Sequence, residues 1–517
     1  MPDAPGDGDD ATEVAEPDDP ESAPAIPAAA VAGHAAALRR ADALATDREI
    51  WRLAWPVILS QILASAVSLV DIAMLGRLGS SSLAAVGYVT QIFLLSQAVL
   101  FAIGVAGVAL MSRAIGAGEH ARARTTLAGC LAISLVVAAL LAGAVLAAPR
   151  ALLGLLNAKP DVIETALPYL RYSMAATLLF AVSITLECGF RAMRDTRTPL
   201  AVAVVVTAVK TAMNYLLIFG PFGLPKLGLA GAGIATLVAQ TVAVVLLAGS
   251  MKVAARKLVT SPLAVGSLGG TMGDRPSITG STARATGLAA RLPSRAILRD
   301  VGRIAAPAVL ERLVLNLALL DYFRMLGDYG SSAIAAYTVG VRMMSFSWIP
   351  GIGFAAAAAT MVGHELGAAD PRAAVRAGWR AARFAVGVSI LLGLVFGFGR
   401  GPLARVFTND AGVLAELGPF MLTLALTQPL LGLHFTLSGA LRGAGDTVSP
   451  LLAAAIGNWA FRVPLAWAFS HAGLPILWMW VALVFDHVAR VAIVGIVFAR
   501  GRWHRKQPRA EHAAQPR

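Results

Sequence analysis

Long apolar runs separated by short polar loops recur along most of this 517-residue chain. A run of about 20 apolar residues is long enough to cross a bilayer as an α-helix. The pattern therefore predicts an all-α polytopic membrane protein with twelve transmembrane helices. The predicted spans are residues 52–76, 83–112, 124–148, 163–190, 198–220, 228–251, 304–326, 333–362, 377–400, 413–440, 448–470 and 476–499.

The composition supports the same class of protein. The chain is 57% hydrophobic and only 14% charged, whereas soluble domains are typically about 25% charged. This composition excludes a cytosolic globular enzyme, a disordered protein and a secreted disulfide scaffold. The two cysteines, Cys130 and Cys188, lie in or beside apolar runs, where free cysteines behave as small buried hydrophobes.

Polar segments divide the chain into five regions. Residues 1–47 are rich in Ala, Pro, Asp and Glu, which is typical of a disordered cytoplasmic tail. A segment rich in Ser, Thr, Gly and Arg at 253–299 has the composition of a flexible cytoplasmic linker. It separates an N-terminal six-helix lobe at 48–252 from a C-terminal six-helix lobe at 300–500, and a basic cytoplasmic tail follows at 501–517.

Lysine and arginine predict the orientation of the spans. The formal net charge is +13, and most basic residues lie in the tails, the central linker and the loops after even-numbered spans. Because cytoplasmic loops carry the excess of Lys and Arg, both termini are predicted to be cytoplasmic, in the inner (plasma) membrane of a bacterial-type cell. The basic residues are spread over short loops rather than gathered on one surface, so we expect no nucleic-acid partner.

The two halves of the chain are copies of one another. Pro56 and Pro307, each early in the first span of its half, are 251 residues apart. Three further pairs of landmarks share this offset: Gly76 and Gly327, Gly116 and Gly367, and Arg191 and Arg442. Six spans per copy is an even number, so the copies enter the membrane from the same side and form parallel repeats. Two such lobes around a central cleft are typical of a transporter that works by rocking one lobe against the other.

Several segments carry a family resemblance. They are PVILSQILASAVSLVDIAMLGRLG, NYLLIFG, LGLAGAGIAT, PGIGFAAAAATMVGHELGAADP, GALRGAGDTVSP and FDHVARVAIVGIVFARGRW. In this order and spacing, over residues 48–506, the chain resembles the multidrug and toxic compound extrusion (MATE) family. The resemblance implies twelve helices in two lobes and export of amphiphilic organic compounds against an inward flow of H⁺ or Na⁺. The loop after the second span, SRAIGAGEHARARTT, does not match the motif of the major facilitator transporters.

Three polar residues in the first lobe are candidates for cation coupling. Asp71 lies about 7.5 Å, and Asn214 about 9 Å, below the outer end of its span, at about 1.5 Å per helical residue. The resemblance places Asp71 on the acidic span-1 position that takes part in coupling. Lys210 lies one turn from Asn214 on the same helix face, and its side chain is long enough to reach Asp71. We predict proton exchange at an Asp71–Lys210 pair in place of Na⁺ binding; a static ion pair and Na⁺ coupling through other groups are the alternatives.

Two carboxylates in the seventh span have both a functional and a structural interpretation. Carboxylates recur in the MATE family at the place of Glu311, so the resemblance implies a secondary coupling or gating role. The alternative for Glu311 is an ion pair with Arg312 or another basic group. Asp321 lies one residue before Tyr322, which the repeat relates to the span-1 aspartate. Arg324, three residues after Asp321, favours a structural pair.

Other residues are expected to line the cleft or to act in gating. Asp486 and Arg490 are four residues apart in the last span, a spacing that favours a buried ion pair. Arg342 is expected either to bridge neighbouring helices or to contact substrate. Bending of the first span at Pro56 is a candidate gating device. Gln61, in the same span, either lines the cleft or bonds between helices. The same two interpretations apply to Gln91, Gln97, Gln240 and Asn316.

The motifs missing from the chain limit the remaining classes of function. It has no Walker-type nucleotide loop and no Cys- or His-based metal spacing, so we expect no enzyme activity and no cofactor besides the coupling ion. The expected partners are a small organic molecule and the lipid bilayer, and a cleft within one chain favours a monomer. The alternative function is a flippase for lipids or lipid-linked oligosaccharides. It is disfavoured because the intramembrane basic residues are few and mostly paired with acids.

Overall fold

The computed structural model describes residues 28–223, 225–260 and 295–505, and within these ranges all regular structure is helical. The first half contains α1 (Ala28–Gly76), α2 (Ser80–Gly116), α3 (His120–Ala147), α4 (Pro149–Leu155), α5 (Pro160–Ala192), α6 (Arg197–Phe219) and α7 (Gly228–Thr260). The second half contains α8 (Arg295–Leu326), α9 (Ser331–Gly367), α10 (Pro371–Phe398), α11 (Arg400–Phe407), α12 (Ala411–Gly443), α13 (Val448–Ile456), α14 (Val463–His471) and α15 (Leu477–Arg500). A π-helix at Gly457–Arg462 joins α13 to α14, and short 3₁₀ helices lie at Pro221–Gly223, Gly327–Tyr329 and Arg502–Arg505.

The described residues form twelve long helical units, six in each half, when α13, the π-helix and α14 are taken as one. Eleven of these units have the length and apolarity of a membrane span. The twelfth, α8, is more polar because Glu311, Arg312 and Asp321 interrupt its apolar stretch. The short helices α4 and α11 also obey the repeat, since they begin at Pro149 and Arg400, 251 residues apart. The predicted all-α fold of twelve helices in two repeats is confirmed.

Four region boundaries differ from the predicted ones. α8 begins at Arg295, inside the predicted linker, and the 3₁₀ helix at Arg502–Arg505 lies inside the predicted C-terminal tail. α1 begins at Ala28, so the predicted disordered tail is helical from that residue onward, and α7 continues to Thr260, inside the predicted linker. Both extensions consist largely of good helix formers such as Ala, Leu, Lys and Arg, whose propensity outweighs the polar composition. The rest of the predicted tails and linker, at 1–27, 261–294 and 506–517, lies outside the described residues.

In each half, a threonine from a neighbouring turn donates a hydrogen bond to a carbonyl that lies just before the proline of the first helix. Because Pro56 has no N–H, it leaves the carbonyl of Arg52 without its helical donor. Thr196 Oγ1 donates to that carbonyl at 3.4 Å. In the second half, Thr447 Oγ1 donates at 2.8 Å to the carbonyl of Ile304, three residues before the equivalent proline. The two threonines are 251 residues apart, but the offset relates Arg52 to Arg303, so the repeat preserves the donor while the acceptor is shifted by one residue.

The halves contact each other at the end of the molecule that carries the Arg-rich loops. A Cβ on Gly116 would collide with the carbonyl of His364, and a Cβ on Gly367 would collide with the carbonyl of Arg113. Arg113 and His364 are also 251 residues apart. α2 and α9 therefore cross backbone against backbone, which small residues permit between membrane helices.

The beginnings of α1 and α8 strengthen this junction from both sides. Ile50 and Ala54 of α1 lie in a hydrophobic cluster with Phe354 of α9 and other residues of the second half. Conversely, Ile304 and Ala308 of α8 lie in a cluster built mainly from α2 and α5 of the first half. Each lobe thus inserts the start of its first helix into the core of the other lobe.

Candidate functional site

The remaining lengths of α2 and α9 line a cleft between the lobes. Ser112 and Gly116 define the face of α2 that packs against α9. Helical positions advance by about 100° per residue, so this face continues along α2 through a set of exposed residues. These are Gly87, Gln91, Leu94 and Leu95, and the exposed repeat-equivalent residues of α9 are Thr338, Arg342, Ser345 and Phe346. One helix face that is buried at one end and exposed at the other indicates a cleft closed at the Arg-rich end.

In the first lobe, two side chains of α6 bind Asp71 of α1. Lys210 Nζ donates to Asp71 Oδ2 at 2.5 Å, and Asn214 Nδ2 donates to Asp71 Oδ1 at 2.6 Å. Lys210 and Asn214 are one helical turn apart, so both reach the same carboxylate from one face of α6. The predicted contact between Asp71 and Lys210 and the shared depth of Asp71 and Asn214 are confirmed; their role in coupling stays a prediction.

The Asp71 site is mostly buried but remains partly accessible to solvent. The side chain of Asp71 is 17% exposed and that of Lys210 is 25% exposed. Asn214 is buried, and its Oδ1 has no donor among the described residues. Partial burial strengthens the attraction between the two charges. The ion pair therefore links α1 to α6 while Asp71 is ionised. Protonation of Asp71 would remove its negative charge and so weaken this link.

In the second lobe, Glu311 forms an ion pair with a distant residue. Arg442 Nη2, near the end of α12, donates to Glu311 Oε1 at 2.6 Å, and the Glu311 side chain is only 8% exposed. The partner is thus Arg442 rather than the adjacent Arg312. Neighbouring residues of a helix point about 100° apart, so Arg312 faces another direction. The pair joins α8 to α12, and the coupling or gating role of Glu311 stays a prediction.

The predicted pair between Asp321 and Arg324 is wrong. Neither side chain has an ion pair or a hydrogen-bond partner among the residues that the structure describes. Tyr322, the repeat equivalent of Asp71, is fully buried and donates to the carbonyl of Met479 at 2.7 Å. Asp321 is turned about 100° from Tyr322 around the axis of α8 and is partly exposed.

The second lobe contains a buried cation that the sequence patterns did not single out. Arg462, the last residue of the π-helix, is 6% exposed. Its Nη2 donates to Tyr337 Oη at 2.8 Å, and its Cζ lies 4.2 Å from the centroid of the Tyr322 ring. Among the described residues, no carboxylate lies within 4.0 Å of the guanidinium. An arginine inside an apolar span was the available signal, and a π-helix commonly marks a functional position.

The predicted pair of Asp486 and Arg490 is confirmed. Arg490 Nε and Nη2 donate to the two carboxylate oxygens at 2.5 and 2.6 Å, and Asp486 is fully buried. Gly457 of the π-helix packs against this pair, since a Cβ there would collide with the Asp486 carboxylate. A buried, bidentate pair within one helix favours a structural role.

Arg342 and Gln61 both lie on walls of the cleft. Arg342 is exposed on α9 and, within the described part of the chain, bridges to no neighbouring helix. Gln61 lies within about 20° of Ala54 around the axis of α1, and Ala54 packs against the second lobe. The expectation that intramembrane basic residues are mostly paired with acids holds for Lys210. It is wrong, among the described residues, for several arginines that have no carboxylate within 4.0 Å: Arg312, Arg342 and Arg462.

At the closed end of the cleft, Arg194 links the lobes. Its Nη1 donates to Glu49 at 2.8 Å in the first lobe, and its Nη2 donates to Glu365 at 3.4 Å in the second. Arg191, a landmark of the repeat, instead pairs with Glu187 within α5 at 2.9 Å. Sequence spacing missed Arg194 because its partners are 145 and 171 residues away.

The fold and the cleft define a multi-pass membrane transporter built from two six-helix lobes. A sequence profile of the MatE family matches residues 56–216 and 307–468, once in each half. The matches begin 251 residues apart, as the repeat requires, and together cover more than half of the chain. The chain belongs to the MatE family.

Relatives match the chain along most of its length. It is 26% identical over 469 residues to the "Probable multidrug resistance protein NorM" of Thermotoga maritima, covering 89% of this chain and 93% of that protein. It is 29% identical over 445 residues to the protein of the same name from Bradyrhizobium diazoefficiens, covering 84% and 89%. The solved structure of the Vibrio cholerae MATE transporter VcmN in the bent form has the same fold, with a TM-score of 0.76, 24% identity and coverage of 89% and 98%.

Proposed function

We propose that this protein is a secondary active, cation-coupled antiporter that exports amphiphilic organic compounds, with H⁺ as the coupling ion. The observation that carries the proposal is the double hydrogen bond of Lys210 and Asn214 to Asp71, inside one lobe of a MatE-family fold. The names of the relatives, which describe multidrug resistance proteins, support drug-like compounds as cargo.

The ligands of Asp71 favour H⁺ over Na⁺. Lys210 donates to one carboxylate oxygen, and the amide nitrogen of Asn214 donates to the other. A lysine ammonium has no lone pair to offer a metal ion. A sodium ion would have to displace both donors, whereas a proton needs only one oxygen of the carboxylate.

The proposed cycle uses the cleft as an alternating-access path. A proton that enters from the open side neutralises Asp71 and releases Lys210. α1 is then free to bend at Pro56, and the cargo leaves on the open side. The lobes next rock about their junction, and the cleft opens to the opposite side. Loss of the proton there restores the ion pair between Asp71 and Lys210.

Dye uptake into everted membrane vesicles containing the protein tests the proposal. An imposed pH gradient, without Na⁺, is expected to drive uptake by the wild type. Asp71→Asn is expected to reduce that uptake by at least about tenfold, because its amide cannot exchange a proton in this range. The matched control is Glu164→Gln, which removes a carboxylate from an exposed ion pair with Arg150 at 2.9 Å.

Lys210→Asn tests the choice of coupling ion. Removing the ammonium frees one oxygen of Asp71 and adds a neutral amide, so a Na⁺ gradient is expected to gain the ability to drive uptake. Na⁺-driven uptake by the wild type, or unimpaired uptake by Asp71→Asn, would contradict the assignment. Movement of a labelled phospholipid with no dye uptake under either gradient would favour the flippase.

A further inference from the structure

We infer that the cargo binds through an anionic group, a carboxylate or a phosphate, held by Arg312 and Arg342 on the second-lobe wall of the cleft. The direction of movement rests on the proposed function, but the charge preference is a property of the cleft and is measured separately.

At two positions that the repeat makes equivalent, the lobes differ in charge. Gln61 of α1 corresponds to Arg312 of α8, and Gln91 of α2 corresponds to Arg342 of α9, both with the offset of 251. The first-lobe wall of the cleft therefore presents neutral amides where the second-lobe wall presents two guanidinium groups.

Both arginines lie on faces that turn toward the opposite lobe. Arg342 belongs to the exposed face of α9 whose continuation packs on α2. Ala308 of α8 packs with first-lobe residues, and Arg312 follows one turn later on the same face and is exposed. At about 1.5 Å per residue, Arg342 lies about 16 Å from the start of α9 and Arg312 about 21 Å from the end of α8. Both positions are near the middle of the bilayer.

Among the described residues, no carboxylate lies within 4.0 Å of either guanidinium group. Arg342 has no ion pair, and the carboxylate nearest to Arg312 along the chain, Glu311, is bound by Arg442. Across the cleft, Asp71 is bound by Lys210.

Other charged residues near the cleft do not reverse the positive sign of the electrostatic field on its second-lobe side. Asp321 lies near the outer end of α8, with Arg324 one turn beyond it. Asp486 is bound by Arg490, and Arg462 adds a further cation behind Tyr322 and Tyr337. The middle of the cleft therefore has a positive field on its second-lobe side.

The chemistry of this wall selects an amphiphile with an anionic group. A charged side chain in mid-membrane is costly unless it faces water or a counter-charge, and the guanidinium fork matches a carboxylate or phosphate in a bidentate manner. Leu94, Leu95 and Phe346 are exposed on the same faces as the polar positions and suit an apolar body. Two sources supply such a molecule: a soluble organic acid and an anionic phospholipid.

Equilibrium binding to the purified full-length protein in neutral detergent tests the inference. The probes are rhodamine 110, which has a free carboxylate, and rhodamine 123, its methyl ester. Fluorescence anisotropy is expected to give a dissociation constant about tenfold lower for the acid, the scale of one charge-assisted hydrogen bond. Arg342→Gln and Arg312→Gln, which install the residue of the other lobe, are each expected to remove most of this preference. Arg405→Gln, an exposed arginine of α11, is the matched control.

Competition identifies the source of the anionic group. Displacement of rhodamine 110 by 1-naphthoate supports a soluble organic acid, whereas displacement by phosphatidylglycerol, but not by phosphatidylcholine or naphthoate, supports a lipid. Equal affinity for the two dyes, tighter binding of the ester, or no binding of either dye would overturn the inference.

The dye experiment separates this inference from the proposed function. A preference for the acid without gradient-driven uptake would contradict the proposed antiporter function and support the site for an anionic group. Gradient-driven uptake of both dyes without a preference for the acid would support the antiporter function and overturn the site for an anionic group.

Discussion

At the scale of single residues, most buried charges of this protein have partners, and the two lobes differ in the kind of partner. The first lobe sets a carboxylate, Asp71, against a lysine. The second lobe has Tyr322 at the equivalent position and surrounds a cation, Arg462, with phenol rings. A lysine–aspartate pair can exchange a proton, whereas an arginine stays charged. The site for proton coupling is therefore expected in the first lobe.

Breaking the Asp486–Arg490 pair is expected to destabilise the fold. Asp486→Asn leaves Arg490 buried without its counter-charge, which costs about 3–5 kcal/mol. Unfolding can be followed with a thiol-reactive dye on heating, because Cys130 and Cys188 are both free and buried. The variant should unfold at a clearly lower temperature than wild type.

The matched control for Asp486→Asn is Glu119→Gln. Glu119 forms an exposed ion pair with Arg122 at 2.9 Å, and such pairs contribute about 0–1 kcal/mol. Equal unfolding temperatures for the two variants would show that the buried pair is dispensable for stability.

At the scale of helices, the crossing of α2 and α9 decides how closely the lobes approach. The crossing depends on glycine at Gly116 and Gly367, since side chains there would meet the backbone of the opposite helix. Apolar burial holds the rest of the junction. Helix propensity alone would favour alanine at both places, so the close approach is the reason for glycine.

Gly116→Ala is expected to lower stability by about 1–3 kcal/mol, the usual cost of overpacking a close contact. The same thermal assay in detergent measures the effect. Gly143→Ala in α3 is the control, because a Cβ there meets nothing within 4 Å and the change should be neutral or slightly stabilising. A loss no larger at Gly116 than at Gly143 would refute the backbone contact.

At the scale of the whole molecule, the lobes meet at one end of the bundle and leave a cleft toward the other. The Arg194–Glu365 ion pair spans the two lobes at the closed end. Its side chains are 29% and 27% exposed, so the pair is worth no more than about 1 kcal/mol. A contact of this size can bias a rocking equilibrium without locking it.

Glu365→Gln is expected to shift the rocking equilibrium by up to about fivefold, the ratio that about 1 kcal/mol gives. Spin labels at Gly87→Cys and Thr338→Cys, on the exposed faces of α2 and α9, would report a larger population of short distances across the cleft. The native cysteines are buried and should not take up label. Glu164→Gln is the control, and a distance distribution unchanged by Glu365→Gln would rule out a latch.

The sequence by itself determined the spans, the repeat and the shared depth of Asp71 and Asn214, from which a Lys210 side chain within reach of Asp71 is predicted. Hydropathy is a local property of each run, and helix register places Lys210 and Asn214 one turn apart on one face. The tertiary structure decided which groups meet across helices: Arg442 for Glu311, two tyrosines for Arg462, and Glu365 for Arg194. It also decided which faces of α2 and α9 open into the cleft. Such pairings depend on the rotation and spacing of whole helices, which a local pattern does not contain.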